Sequence, residues 1–519
     1  MAVKKIAMLA IGLKCILWPI PETANPHPPS PRPMMQTLWV HYDGTRFQLI
    51  ESQIHPASAL PQASPSHLPG TFRFTVEAED GQVLFVSEFD DPRPIHVDRL
   101  SEEGNIDGQT LLLPETIFPL RVPYAEKATR LRISGDDLPT IVLPLEVSTE
   151  ALEATSARPN YTAQTVIRTG PSSNRLDIVF LGDGYQATEM EKFDRDVRAF
   201  AAHLLETQPY AAYRHAINIH KVNVISRDSG IDRPSLGLYR DTALDMTFDF
   251  GGVPSAVYAP VESEYKIYRA AALVPEADLI VVLVNERDFG GSSGPLKNIS
   301  VVTTHALGPE LLVHELGHSF AFLADENDGP SAPPLREPTK VNVTLEHTRE
   351  GLRRVGKWDY WIEDARSSSE SSMNVGLFEG GLGASRGVFR PSPTCKMRTL
   401  GQPFCPICME QHVRRLYFYI RPIEAALPPP GSLLSIHETM ADTLLFRVVP
   451  PEPSPGTLHI EWFMDGLPLD HHEASFSLPT ATLSPGQHTI TVVVTDRTPF
   501  VRRDPLGLLS SRVSWTLTR

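Results

Sequence analysis

The chain is poor in cysteine. It has four in 519 residues, and three of them, Cys395, Cys405 and Cys408, crowd into one short segment. A disulfide-stapled scaffold is excluded, and whatever the sulfurs do is local. Positive charge is also scarce: 47 lysines and arginines stand against 62 aspartates and glutamates, giving a formal charge of -15 with no long basic run. That excludes nucleic acid or an anionic membrane surface as the main partner. Past the N-terminus, no segment approaches the roughly 20 apolar residues that a membrane-crossing helix needs.

Proline, by contrast, is plentiful. Its 48 copies fall largely between apolar runs, which suits an extracytoplasmic, β-rich protein with stiff connections. The chain is too long for a single hydrophobic core, so several domains are expected. Lys4 and Lys5 precede an apolar run at 6–13 that resumes at Ile16, and Thr23-Ala24 offers a cleavage point. Residues 1–24 therefore read as a signal peptide, predicting a secreted or periplasmic protein. Lys14 stands where lipid attachment at Cys15 would want a small residue, and residues 25–35 read as a proline-rich linker.

From 36 to 150, short alternating runs such as Thr71-Phe72-Arg73-Phe74-Thr75-Val76 predict an N-terminal β-sandwich. Residues 151–175 read as a linker, and the α/β catalytic domain is assigned to 160–424. Within it the pattern predicts a strand at 177–181, a long amphipathic helix at 188–207, strands at 217–225, 278–284 and 299–304, a helix at 309–323 and another at 406–420. Alternation returns after Pro428-Pro429-Pro430, so 431–519 reads as an immunoglobulin-like β-sandwich. Few contacts are expected to cross the proline run, which would leave the C-terminal domain dispensable for chemistry.

The segment 309–326, PELLVHELGHSFAFLADE, carries the chemistry. On a helix His314 and His318 stack on one face and offer two imidazoles to one ion, while Glu315 lies beside them, placed to polarise a water. Leu312, Leu316, Phe320 and Leu323 form the opposite, packing stripe. Catalytic zinc needs a third protein ligand and an open position. Metzincin-type peptidases take that ligand from a third histidine, but here its position holds Ala324. Asp325 and Glu326 follow. A straight helix would put Asp325 about 10 Å along the axis from His318, so a turn after Leu323 has to bring it back. Asp325 is the preferred candidate, with Glu326 the alternative. Met397, on a turn before the last helix, sits where metzincin-like peptidases place a methionine under the metal.

The tracts LDIVFLGDGY, SRDSGIDRP (226–234), HELGHSFAFLADE, KWDYW (357–361) and GVFRPSPTCKM…FCPIC together resemble the bacterial IgA-type metallopeptidase family, over about 36–420. The resemblance implies a zincin-like, metzincin-like catalytic domain with one zinc per chain on His314 and His318. It also implies Glu315 as the catalytic glutamate, Asp325 as third ligand and Met397 as the Met-turn residue. Phe322 stands where that family usually has glycine, and Asn327 where a tyrosine is usual. The family name does not make immunoglobulin A the substrate.

The cysteines carry two readings. Cys395 with Cys405 or Cys408 could close a local disulfide, which export favours. Alternatively Cys395, Cys405, Cys408 and His412 have the spacing of a structural zinc site. Asp183 reads as a turn aspartate, and the triplets at Asn298 and Asn342 fit the glycosylation pattern. The reading that results is a secreted zinc endopeptidase acting on proteins or peptides. Its rival is an exported surface-binding protein whose β domains do the work beside a vestigial zinc site.

Overall fold

Period-two alternation makes the first part of the chain all β. The computed structural model describes residues 34–56, 71–100, 106–135, 138–145, 161–254, 256–294, 296–362, 375–431, 433–436, 442–451 and 456–519. The signal peptide read at 1–24, Cys15 and the proline-rich stretch up to 33 lie outside them. Nine strands come first: β1 (Met34–Tyr42), β2 (Phe47–Pro56), β3 (Phe72–Ala78), β4 (Val83–Phe89), β5 (Pro94–Leu100), β6 (Ile106–Leu112), β7 (Thr116–Pro123), β8 (Ala128–Gly135) and β9 (Leu138–Pro144). One sheet runs β2-β1-β7 and another β4-β3-β8-β9. Their inward side chains, including Leu38, Val40, Phe74, Phe118 and Leu131, share one core.

The central unit follows the predicted order of elements. It comprises β10 (Thr162–Ile167), β11 (Leu176–Asp183), α1 (Met190–Glu206), β12 (Ile217–Asn223), α2 (Val261–Ala271), β13 (Leu279–Val284), β14 (Gly291–Gly294), β15 (Ile299–Thr303) and α3 (Gly308–Ser319). β12, β11, β13 and β15 run parallel, and β14 lies antiparallel to β15. Parallel strands covered on both faces need apolar residues on both faces, and β11 supplies them. Ile178 and Phe180 join the core that holds Phe193, Val197 and Phe200 of α1 and Leu312 and Leu316 of α3, whereas Val179 and Leu181 join the one that holds Ile267 of α2.

Two sequence expectations change here. The central sheet has eight strands in the order β10-β12-β11-β13-β15-β14-β5-β6, so residues 94–112 leave the N-terminal unit and extend the central one. His96 and Asp98 alternate with Ile95 and Val97 on β5, so both polar groups point to one face, which an apolar sandwich core could not accept. β10 falls in the stretch read as linker; its residues are mostly exposed, so they carry little apolar pattern. β14, with sequence GSSG, has none.

Beyond α3 come α4 (Arg349–Arg354), β16 (Phe378–Gly381), β17 (Ala384–Arg390) and α5 (Pro406–Leu416). Eight strands follow: β18 (Ala425–Leu427), β19 (Leu433–Ser435), β20 (Thr443–Val449), β21 (Leu458–Met464), β22 (Leu467–Leu469), β23 (Ser475–Pro479), β24 (Gln487–Asp496) and β25 (Ser510–Thr518). They form sheets β18-β20-β23 and β19-β25-β24-β21-β22 around Phe446, Trp462 and Trp515. The molecule is thus mostly β, a sheet-and-helix centre flanked by β regions. The expectation of few contacts across the proline run is overturned: the β24–β25 connection reaches back and puts Leu509 into the central core. No helix among the described residues is long and apolar enough to cross a membrane.

Candidate metal centre and active site

α3 starts where Pro309 is tolerated, in its first turn. Its predicted end at Leu323 is too late. The helix stops at Ser319, and Phe322 adopts φ 56°, a left-handed conformation costing a bulky residue about 1–2 kcal/mol. This is the position where glycine was expected. The Leu323 N–H donates to Gly317 O (2.8 Å), and the Arg415 guanidinium lies 4.5 Å from the centre of the Phe322 ring. That turn folds the chain back instead of running on along the helix axis. Asn342 then clamps it: its Oδ1 accepts from the Ala324 N–H (2.9 Å) and its Nδ2 donates to Ala324 O (2.8 Å) and Glu326 Oε1 (3.0 Å). Asn342 is buried, so its triplet is no exposed glycosylation site.

Asp325 consequently lies beside the histidines. Its Oδ1 is 3.4 Å from both His314 Nε2 and His318 Nε2, which face each other at 3.1 Å. The fourth donor was not anticipated: His96 Nε2 lies 2.6 Å from Asp325 Oδ2. His96, His314, His318 and Asp325 offer ligand atoms within 4.8 Å of one another, all buried. Asp98, two residues along β5, brings Oδ2 to 3.2 Å from His314 Nε2. Gly108 on β6 makes room, since a Cβ there would run into His96 Nε2 and Asp325 Oδ2. The alternation Ile95-His96-Val97-Asp98 was a readable signal for two polar groups on one face, but nothing local tied it to a helix far along the chain.

Ring orientation is fixed from behind. His314 Nδ1 donates to Lys396 O (2.9 Å) and His318 Nδ1 to Leu323 O (2.9 Å). Carbonyls only accept, so the Nε2 lone pairs are left pointing at each other, which suits a cation between them. The electrostatics agree. Burial disfavours charge on His96, but the Asp325 and Asp98 carboxylates outweigh it and raise that imidazole to about 10. Burial and the facing His96 push His318 down to about 4. Burial, then the Asp98 carboxylate, pushes Glu315 well above the ordinary carboxylate range. Both Glu315 oxygens and Asp98 Oδ2 are buried without hydrogen bonds. A pocket with this much unanswered acid calls for positive charge, and the N₃O donor set fits zinc.

Glu315 sits next to this group rather than in it, under β14, where a Cβ on Gly291 would come within 2.7 Å of Glu315 Oε1. Met397 is buried with its sulfur against Gly317, between the two helix histidines. A cleft of about 630 Å³, lined by Thr71, Thr110, Lys340 and Leu382, leads to His318 and Asp325. Asp183 takes no part: it caps β11 by accepting the Leu244 and Met246 N–H groups (2.9 and 3.0 Å).

Glu326 points the other way, into Cys395, Cys405 and Cys408. All three thiols are free, with Cys395 Sγ and Cys408 Sγ 3.7 Å apart, so the expected disulfide is not formed. His412 stands outside the group, its Nδ1 accepting from the Tyr210 hydroxyl at 2.8 Å.

No curated protein matches the chain. Residues 165–369 match the family model described as IgA Peptidase M64, a span that includes His314, Glu315, His318 and Asp325 but neither His96 nor Met397. Through these residues the central domain is similar to the IgA peptidase family.

Proposed function

We propose that the protein is a secreted zinc-dependent endopeptidase whose central domain is metzincin-like, flanked by an N-terminal β-sandwich and an immunoglobulin-like C-terminal one. The observation carrying this reading is the convergence of His314, His318 and Asp325 on one point with an unpaired Glu315 beside it. Zinc bound there would supply a Lewis acid for the scissile carbonyl. Glu315 takes a proton from the attacking water and delivers it to the leaving amine, a role its raised proton affinity suits. Met397 and Gly317 form an apolar floor that keeps the histidines upright. Four protein donors would close a tetrahedral ion, and hydrolysis needs one position for water. His96 would be the donor to yield that position, because it comes from a separate segment while the other three are locked to α3 and its exit turn.

The test is a set of three variants. His314→Ala or His318→Ala should lose both the metal at this site and all cleavage of a denatured protein mixture. Glu315→Gln should keep the metal and lose at least a hundredfold in rate, the size of a general-base contribution at its lower end (about 10²). Full metal retention in both histidine variants, or unimpaired cleavage in the presence of a chelator, would sink the assignment.

A further inference from the structure

We propose a second metal site, a structural zinc held by Cys395, Cys405, Cys408 and Glu326. All four are buried, and their ligand atoms lie within 4.8 Å of one another. Thiolates about 2.3 Å from a tetrahedral zinc stand roughly 3.8 Å apart, and roughly 3.5 Å from a carboxylate oxygen in the same shell. Cys395 Sγ and Cys408 Sγ are 3.7 Å apart, and Glu326 Oε1 is 3.3 Å from Cys408 Sγ and 3.9 Å from Cys405 Sγ. A disulfide would need about 2.05 Å. The spacing is that of ligands around a common centre.

The surroundings agree with thiolates. The N–H groups of Cys405 and Met397 both point at Cys395 Sγ (3.3 and 3.5 Å), the outer-shell donation that steadies metal-bound sulfur. Glu326 Oε2 is buried with no hydrogen-bond partner, a costly state for a carboxylate unless a cation faces it. Three sulfurs and one oxygen in a closed, tetrahedral group favour zinc, and with no position left open the ion is structural.

The ion would join three segments that build the first site from below. Glu326 follows Asp325 directly, and its N–H donates to Met397 O (2.8 Å). Cys395 lies two residues before Met397, and Cys405 and Cys408 open α5. The chain would then carry two ions in place of the single one expected from the sequence.

Metal content of the zinc-loaded full-length protein decides this. We expect two zinc per chain in the wild type and one in the His314→Ala/His318→Ala double variant. Cobalt(II)-loaded protein should show a near-ultraviolet thiolate-to-cobalt charge-transfer band that survives the double histidine change and vanishes in Cys408→Ser. Should Cys408→Ser fail to fold, Glu326→Gln keeps all three sulfurs. It should keep the band but surrender the ion to a chelator at least about tenfold faster, as lost ligands and their supports typically do. One zinc with the thiolate band present would uphold the cysteine site and count against the histidine site. An absent band, whether the thiols are free or an intact mass two hydrogens lighter reveals a disulfide, would overturn the proposal.

Discussion

Asn342 shows how much one buried amide can hold. Its three hydrogen bonds hold the backbone of Ala324 just before Asp325 and the carboxylate of Glu326 just after it. Asn342→Ala should therefore leave the fold intact and weaken metal binding about 10- to 100-fold, the usual effect of losing a residue that supports a ligand. Competition with a chromophoric chelator measures it, and unchanged affinity would show that the exit turn holds Asp325 unaided. At this scale the sequence was legible where chemistry is local. His314, Glu315 and His318 announce themselves by helical spacing, and Asp325 was preferred over Glu326 because the chain had to turn there. Asn342 was read only as a glycosylation triplet, since its real partners depend on a turn that Phe322 creates against its own conformational preference.

Among the elements, helices with a clear apolar stripe were found nearly in place. α1 runs Met190–Glu206 against an expected 188–207, and α3 begins within a residue of Pro309. The strands that matter most to the site were not found. β14 has no side-chain pattern, and β5 belongs by sequence to one unit and by pairing to another. β5 also pairs with β14 beside Glu315, the side on which an extended substrate could otherwise add as a further strand. Hence His96→Ala should retain the ion on its three remaining donors and cleave a short peptide at least as fast as the wild type. Metal analysis and a peptide assay check this together. Loss of the ion in that variant would make His96 an obligatory ligand and remove the exchangeable position assigned to it.

On the scale of the whole molecule, alternation stops and resumes near where the chain passes from one sheet to another, but the contacts across those seams were not readable. Asp496, in the C-terminal unit, accepts hydrogen bonds from Tyr213 (2.7 Å) and Tyr417 (2.6 Å) of the central one. The Arg502 and Arg503 N–H groups reach Glu410 (2.8 and 3.1 Å), and their guanidinium groups cover Trp361 and Tyr360. A chain ending at Ile423 would lose all of this together with Leu509. A buried leucine alone is worth about 2–5 kcal/mol, against a total stability of about 5–15 kcal/mol. The truncated chain should unfold well below the intact one in a thermal melt. An unchanged melting temperature and unchanged peptide turnover would make the C-terminal unit a passenger. The shared central sheet also has a consequence in time. Between His96 and Asp325 the ribosome adds roughly 230 residues, on the order of 10–50 s at ordinary rates of synthesis. For almost all of that interval, until His314 emerges, a growing chain holds His96 without any of the three residues it meets. On the proposed reading, such a chain cannot assemble its hydrolytic site until Asp325 has been delivered.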